Sequence, residues 1–311
     1  MLSRRSVIAI KQEVTAGTDV VPAAANANMV VSDLKFNPDV KTYERNVMSS
    51  TLSNMAPVIG SRSAQVTFSA ELKGSGVSYM TTPPAIEAAL KGCGFAVSGT
   101  TAAASIVYKP ASTGVLPVTI YFYMDGVLHK IVGAAGNVSI AGKIGEPIIA
   151  TFTFTGVYTG TSDIAVIVPT ALESTVPPAC VGPVVTLGGY TPIISSFSFD
   201  MANTVTLRES MGAANGYISA SITARKPTGK IDPEMVLVAT NPFYANWLAG
   251  TAAALTIGPV GSATNNKVTI NAPVCVTTGL SGGDRGGNAT LDYSFSCIMS
   301  TGDDEISLSF T

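Results

Sequence analysis

Apolar and polar residues alternate along much of this 311-residue chain, and the alternation strongly constrains its fold. Successive side chains of a strand point to opposite faces of a sheet, so a period of two creates one apolar and one polar face. Residues 64–73, AQVTFSAELK, show this pattern clearly. Their apolar face would carry Val66, Phe68, Ala70 and Leu72, and their polar face Gln65, Thr67, Ser69 and Glu71. Residues 148–156 and 289–297 alternate in the same way, so the sequence predicts a chain built mainly of β-strands.

Two short segments have helical spacing instead. Residues 83–94 begin with two prolines, place Ile86, Ala89 and Leu90 at helical intervals and stop near Gly92. Residues 241–252 offer Asn241 as an N-cap, followed by a proline in the first turn. The apolar residues that this second helix would place on one side are Phe243, Tyr244, Trp247 and Leu248. The predicted fold class is therefore mainly β with a small α content.

The second half of the chain repeats features of the first half in the same order. Residues 31–46, VSDLKFNPDVKTYERN, align without gaps with the segment that starts at Ile194. The two segments share Ser32 with Ser195, Phe36 with Phe199 and Arg45 with Arg208. Each half then offers an alternating strand, a helix that begins at proline and a closing strand pair, and in the second half residues 217–226 match residues 64–73. Such ordered similarity indicates an internal duplication.

The repeat predicts two tandem β-sandwich or barrel domains, each with a flanking helix. Residues 1–170 form the first domain and residues 184–311 the second. Residues 171–183 are proline-rich and lack a periodic pattern, which is typical of a linker. A chain of this length has room for two domains that each bury a core.

The two halves differ in one loop. Residues 46–63 of the first half are much longer than their counterpart, residues 209–216. A solvated loop does not normally carry many large apolar residues, so this one is expected to dock on another surface. Its candidate contact residues are Met48, Leu52, Met55, Val58 and Ile59.

The composition favours association with other chains. Only 12% of the residues are charged, against about 25% in an average soluble protein, and the mean hydropathy is +0.37. The apolar runs are too short for a membrane span. A formal net charge of −2 argues against a broad basic surface that clamps nucleic acid. A monomer with a Thr/Ser-rich surface is the alternative on composition alone.

The sequence offers little for catalysis or metal binding. His129 is the only histidine and is expected on the surface of a strand beside a turn, and no G-x-S-x-G motif is present. The four cysteines form no C-x-x-C pair and are expected to be buried free thiols. We expect no catalytic residue, no metal site and no cofactor, and hence not an enzyme.

The first half resembles the tail tube (major tail) proteins of long, non-contractile-tailed bacteriophages. The similarity begins with IAIKQEVTAGTDVVPAAANANMVVSDLKF and continues with GSRSAQVTFSAELKGSG and PPAIEAALKGCGF. It also includes MDGVLHKIVGAAGNVSI and GEPIIATFTFTG, and it is clearest over residues 7–160. The resemblance implies a virion protein that is synthesised in the host cytoplasm. It also implies a β-sandwich with a flanking helix, whose sheets join those of neighbouring subunits around a channel.

The resemblance also implies a mode of assembly. Members with one tube domain form hexameric rings, so a chain with two domains would form homotrimeric rings with pseudo-sixfold symmetry. A homohexamer is the alternative. The family's long loop between early strands stacks one ring on the next, and residues 46–63 lie at that position. The partners implied are the tape measure protein and DNA in the lumen, and terminator and distal tail proteins at the ends, with no membrane.

Alternation suggests which residues would face the lumen. If the apolar face of residues 64–73 packs in the core, Gln65, Thr67, Ser69 and Glu71 face the channel. The counterparts expected in the second half are Ser219, Ser221 and Thr223. Few cations would line this surface, so DNA could slide through it during genome ejection.

Three other functions remain open from the sequence. One is another tail component, such as a terminator or a distal ring. A second is an adhesin or pilus-like β-repeat protein, which would carry an export signal. The third is a carbohydrate-binding β-sandwich, which would expose a patch of Trp or Tyr, whereas Trp247 is expected on a helix among apolar neighbours.

Overall fold

The structure, a computed structural model, describes Leu2 and residues 4–98 and 104–311. Over these residues the chain is mainly β, with two short α-helices and one 3-10 turn at Ala24–Asn26, which confirms the predicted fold class. The elements of the first half are β1 Ser6–Gln12, β2 Val31–Tyr43, β3 Val58–Glu71, α1 Glu87–Gly92, β4 Phe95–Val97, β5 Ile106–Pro110, β6 Val118–Met124, β7 Val127–Lys143 and β8 Ile149–Asp163.

The second half contains shorter and more broken strands. Its elements are β9 Val185–Leu187, β10 Ser196–Asp200, β11 Thr204–Glu209, β12 Tyr217–Ala224, β13 Thr228–Ile231, α2 Phe243–Leu248, β14 Ala252–Val260, β15 Val268–Arg285, β16 Asn288–Cys297 and β17 Ser307–Phe310.

The strand order of the main sheet follows one scheme twice. The order β2-β3-β8-β7 is followed directly by β10-β13-β16-β15. Off this path β1 pairs with β6 and β6 with β7, and in the same way β9 pairs with β14 and β14 with β15. Over the described residues the path ends at β2 and β4 and does not close into a barrel, as in an open β-sandwich.

The two series meet where β10 pairs antiparallel with the end of β7, and we call this contact the internal joint. Asp200 lies opposite Ser139, and Ser196 lies opposite Lys143. A Cβ atom added at Gly142 would lie 2.5 Å from the Phe197 ring, so glycine is needed for the close approach of the two strands. The Asp232 carboxylate accepts hydrogen bonds from the Ser195 and Ser196 amides at 2.8 Å and fixes the start of β10.

The counterpart of β3 in the second series is β13, not the segment that the sequence alignment indicates. Phe36 pairs with Val66 in the β2·β3 ladder, and Phe199 pairs with Gly229 in the β10·β13 ladder. Among the strands that the structure describes, β12 pairs with β11 alone, in a separate two-stranded sheet. The second series thus lacks a long continuous hairpin like β2–β3, because both of its strands are interrupted. Ala202, between β10 and β11, has a φ of +47°. Pro227, between β12 and β13, cannot donate a backbone hydrogen bond to a ladder. The short β13 carries Gly229, so it lacks the alternation that would have marked it.

One apolar core runs through both series. Phe68 stacks on Phe152 with ring centroids 5.2 Å apart, and Phe199 contacts Phe295 at 5.6 Å. All four rings belong to a single cluster of buried residues. Across the chain, Leu308 of β17 pairs with Tyr108 of β5. The two halves therefore share a core instead of burying separate ones.

The helices and cysteines partly follow the sequence predictions. In α1, Ala89 and Leu90 are buried as expected. The N-cap of α2 is Pro242 instead of Asn241, with no side-chain capping hydrogen bond. Phe243 is the only buried residue of α2, and Leu248 is 84% exposed, so the predicted apolar side is largely uncovered. All four cysteines are buried and free.

Candidate assembly surfaces

The loop between β2 and β3 forms an exposed apolar tip, which we define as residues 44–57 and call the hairpin tip. Met48 and Leu52 are fully exposed, and Met55 is also exposed. Residues 46–57 carry no charged side chain. The hairpin tip thus presents uncompensated apolar surface to its surroundings.

The predicted loop 46–63 is too long at its C-terminal end. β3 begins at Val58, so Val58 and Ile59 are strand residues that lie opposite Tyr43 and Thr42. Extension of the hairpin satisfies the backbone hydrogen bonds of these β-branched residues. Both side chains remain exposed and continue the apolar surface of the hairpin tip along the strand.

The polar sides of both series form one continuous surface, which we call the polar face. One row across it runs through residues that lie opposite one another on neighbouring strands: Ser32, Ser69, Thr151, Ser139, Asp200, Thr228 and Ser296. Ser69 and Thr151 share a hydrogen bond of 3.1 Å between their hydroxyl groups. Every position of this row is polar although it crosses the internal joint.

The sequence-predicted lumen residues divide into two groups. Gln65, Thr67, Ser69 and Glu71 lie on the polar face, where Gln65 is exposed, Thr67 and Glu71 are half-buried and Ser69 is buried. Ser219, Ser221 and Thr223 lie on β12, in the separate sheet. The structure does not bring the two groups onto one surface.

The β12 residues have local contacts of their own. Ser219 is 1% exposed, and a Cβ atom added at Gly133 of β7 would lie 2.8 Å from it. Thr223 is exposed and its hydroxyl lies 3.3 Å from that of Thr206 on β11. Sequence reasoning missed the true counterparts on the polar face, Thr228 and Lys230, which the 163-residue offset between Phe36 and Phe199 would have located.

Two strand edges correspond to the two sides of the internal joint. β2 forms a ladder with β3 alone among the described residues, so its outer edge lacks a strand partner. Residues 281–285 of β15 pair with β16 on one side. Among the described residues, no strand pairs with their other side. β2 occupies the place of β10 in its series, and residues 281–285 occupy the place of 139–143. Exposed edges of this kind favour pairing with a further strand.

His129 is not the simple surface residue that the sequence suggests. Its ring is half-buried, 4.4 Å from the Phe36 ring and 5.7 Å from the Phe122 ring by centroids. Its Nδ1 atom lies 3.3 Å from the Tyr158 hydroxyl. Burial lowers the pKa of the imidazole, because the apolar surroundings disfavour its charged form. The ring therefore ties the edge strand β2 to β6, β7 and β8.

Within residues 4–98 and 104–311, no three His, Cys, Asp or Glu side chains are placed to hold a metal ion together. None of the helices described is long and apolar enough to span a membrane. What the chain does present is an extended sheet with uncovered edges and an apolar tip, the features of a structural β-protein that associates with other chains.

Comparison with known protein families identifies which kind of structural β-protein this chain is. The sequence model described as phage tail tube protein matches residues 3–298, nearly the whole chain, and the chain therefore belongs to the phage tail tube protein family. It is a structural protein of the phage tail that self-assembles into a tube in the virion. This family does not favour the adhesin or pilus-like alternative. No curated protein matches the chain.

Proposed function

We propose that the chain is the tail tube subunit of a long, non-contractile-tailed phage and assembles as homotrimeric rings. Each chain contributes two copies of a tube module, residues 1–170 and 184–311 joined by 171–183, so that three chains imitate a hexamer. The repeated strand order supports the duplication. The internal joint carries the proposal, because it pairs two strands whose counterparts, β2 and residues 281–285, have open edges.

Between chains, β2 of one subunit pairs with residues 281–285 of the next, as β10 pairs with 139–143 within the chain. Three such contacts and three internal joints close a ring of six modules in which neither β2 nor residues 281–285 keeps an open edge. The rings stack through the hairpin tip, with Met48, Leu52, Met55, Val58 and Ile59 as its contact residues. Because each chain has one long hairpin tip, a ring carries three stacking contacts of this kind.

The polar face lines the channel in this arrangement. It includes Gln65, Thr67 and Glu71, with Ser69 buried beneath them. In the second series Thr228 and Lys230 line the channel, instead of the Ser219, Ser221 and Thr223 that the sequence alignment indicates. Carboxylates and lysines are sparse and mixed on this face, so phosphates find few fixed cations. The tape measure protein occupies the lumen before DNA passes through it during ejection, and terminator and distal tail proteins bind the ends. The subunit is synthesised in the cytoplasm of the bacterial host before it joins the virion.

Electron microscopy of the purified full-length protein, with light scattering to measure mass, tests this proposal. We expect hollow rings or tubes whose smallest closed ring has the mass of three chains and approximate sixfold symmetry. A ring of six chains would refute the trimer, and a persistent monomer would refute the proposal as a whole. In assembled tubes, Gln65→Cys should resist bulky external thiol reagents that modify Val168→Cys, an exposed control position.

A further inference from the structure

Exposed apolar side chains collect at both ends of the β3·β8·β7 ladder. The hairpin tip lies at the end where β3 begins, and the turn between β7 and β8 lies at the other end, beyond the pair of Glu71 with Ile149. At this second end Ile144, Val181 and Ile193 are each more than half exposed. The chain thus has an apolar projection at one end and an apolar surface at the other.

The surface at the second end is a groove of about 250 Å³, which we call the turn groove. Its walls are residues 142–144, 180–185 and 191–197, with Ile257 behind them. Backbone hydrogen bonds hold the walls together: Ile144 N donates to Ser195 O at 2.9 Å, and Gly145 N to Cys180 O at 3.1 Å. The groove is smaller than the roughly 300–1,000 Å³ of typical small-molecule sites, so its size suits protein side chains.

The hairpin tip of a chain cannot reach the turn groove of the same chain. β3 has 14 residues and runs from one end to the other, which at about 3.3 Å per residue separates the two by roughly 40 Å. A contact between them must join two chains. Because it joins different surfaces, it is a head-to-tail contact and extends an assembly without closing it.

The hairpin tip and the turn groove also match in number and in charge. The described part of each chain carries one long apolar hairpin tip, and the turn groove lies at the opposite end. At the corresponding places the second series has a short turn after β11 and a two-glycine turn, residues 286–287, flanked by the charged residues Asp284 and Arg285 of β15. Residues 46–57 are uncharged, and so are the walls 180–185 and 191–197. Glu44 and Arg45 are the first two residues of the hairpin tip, exposed Lys143 lies in the wall of the turn groove and exposed Glu146 lies beside it, so each side can pair with opposite charge.

We infer that the turn groove of one chain receives the hairpin tip of a second copy of this chain in the adjacent layer of the tube. Met48 and Leu52 enter the groove and contact Ile144, Val181 and Ile193. The inference rests on the proposed function and gives its stacking contact a receiving surface. It also assigns a role to the linker, since Cys180–Pro183 would form one wall of the stacking site.

Cysteine pairs in the full-length protein test this contact directly. Chains with Leu52→Cys are mixed with chains with Ile193→Cys, allowed to assemble and treated with a short bis-maleimide. The native cysteines are buried and should react little. We expect a band at twice the chain mass that forms only in the mixture and only after assembly. Val168→Cys replaces Ile193→Cys as an exposed control and should give no such band.

Charge substitutions provide an independent test. Leu52→Glu should abolish tubes but leave rings of unchanged mass, and addition of Ile193→Lys should restore tubes. Tubes that form without the Leu52–Ile193 cross-link, or a cross-link with Met211→Cys in place of Leu52→Cys, would overturn the inference while the proposed function stands. If neither rings nor tubes form in the unmodified protein, both are refuted.

Discussion

At the scale of single residues, Glu13 is a key attachment of the N-terminal strand. Its carboxylate is buried and accepts hydrogen bonds from the Gly133 amide at 2.6 Å, the Gly17 amide at 2.6 Å and the Thr119 hydroxyl at 2.8 Å. The acidic turn after β1 therefore has a structural purpose: it ties β1 to β6 and β7. No cation is needed, because three donors satisfy the charge.

We predict that Glu13→Ala lowers the free energy of unfolding by about 3 kcal/mol, since it leaves buried donors without an acceptor. Glu13→Gln should have a smaller effect because it keeps one acceptor oxygen. Urea unfolding of the unassembled chain measures both changes. Glu44→Ala, at an exposed position, is the control, and an equal loss in Glu44→Ala would contradict the explanation.

His129 should make stability depend on pH. Because burial lowers its pKa in the folded chain, the neutral form is favoured there. Its contribution is complete above the unfolded value, near 6.5, and is lost as the pH falls towards the folded value. We expect the urea concentration at the unfolding midpoint to decrease when the pH is lowered from 7.5 to 5. In His129→Phe this decrease should be smaller. An unchanged pH profile in His129→Phe would show that other groups cause it.

At the scale of elements, sequence alternation located the long strands and missed the broken ones. Val66, Phe68 and Ala70 give β3 a clear period of two, and all three are buried. β13 has only four residues, one of them Gly229, so it is too short to show a period of two. The longer alternation of β12 therefore aligns better with β3 in sequence, although β13 is the structural counterpart. Ladder register, which depends on contacts distant in sequence, was needed to correct it.

The extent of burial was equally hard to predict where packing is distant. Helical spacing placed Tyr244 and Leu248 beside Phe243, but the fold covers only Phe243. Conversely, no strand or helix pattern explains the large apolar residues Met48 and Leu52 in a loop, and both side chains are fully exposed. Sequence patterns thus identified surfaces with unpaired apolar residues but not the elements that lie against them.

The open strand edges allow a prediction about the joint between chains. By analogy with the pair Ser198–Ala141, Lys35 of one chain should lie opposite Gly283 of the next. Chains with Lys35→Cys mixed with chains with Gly283→Cys should form a disulfide between chains in rings, whereas Gly286→Cys, beyond the strand, should not. Stronger cross-linking at Gly286 would mean a different register.

At the scale of the whole molecule, the shared core bears on whether the two modules are independent. Phe154 and Phe295 belong to one buried cluster, and two ladders, β7·β10 and β17·β5, cross between the halves. A duplicated chain whose modules pair edge to edge gains one permanent joint in place of an intermolecular one. That joint no longer depends on protein concentration.

The two halves should therefore unfold as one unit. In a fragment of residues 184–311, Phe197 and Leu308 would lose neighbours from β7 and β5 that bury them in the full chain. We expect the fragment to lack a cooperative urea transition by circular dichroism, whereas the unassembled full chain shows a single one. Two separate transitions in the full chain, one at the midpoint of a folded fragment, would instead establish the modules as autonomous domains.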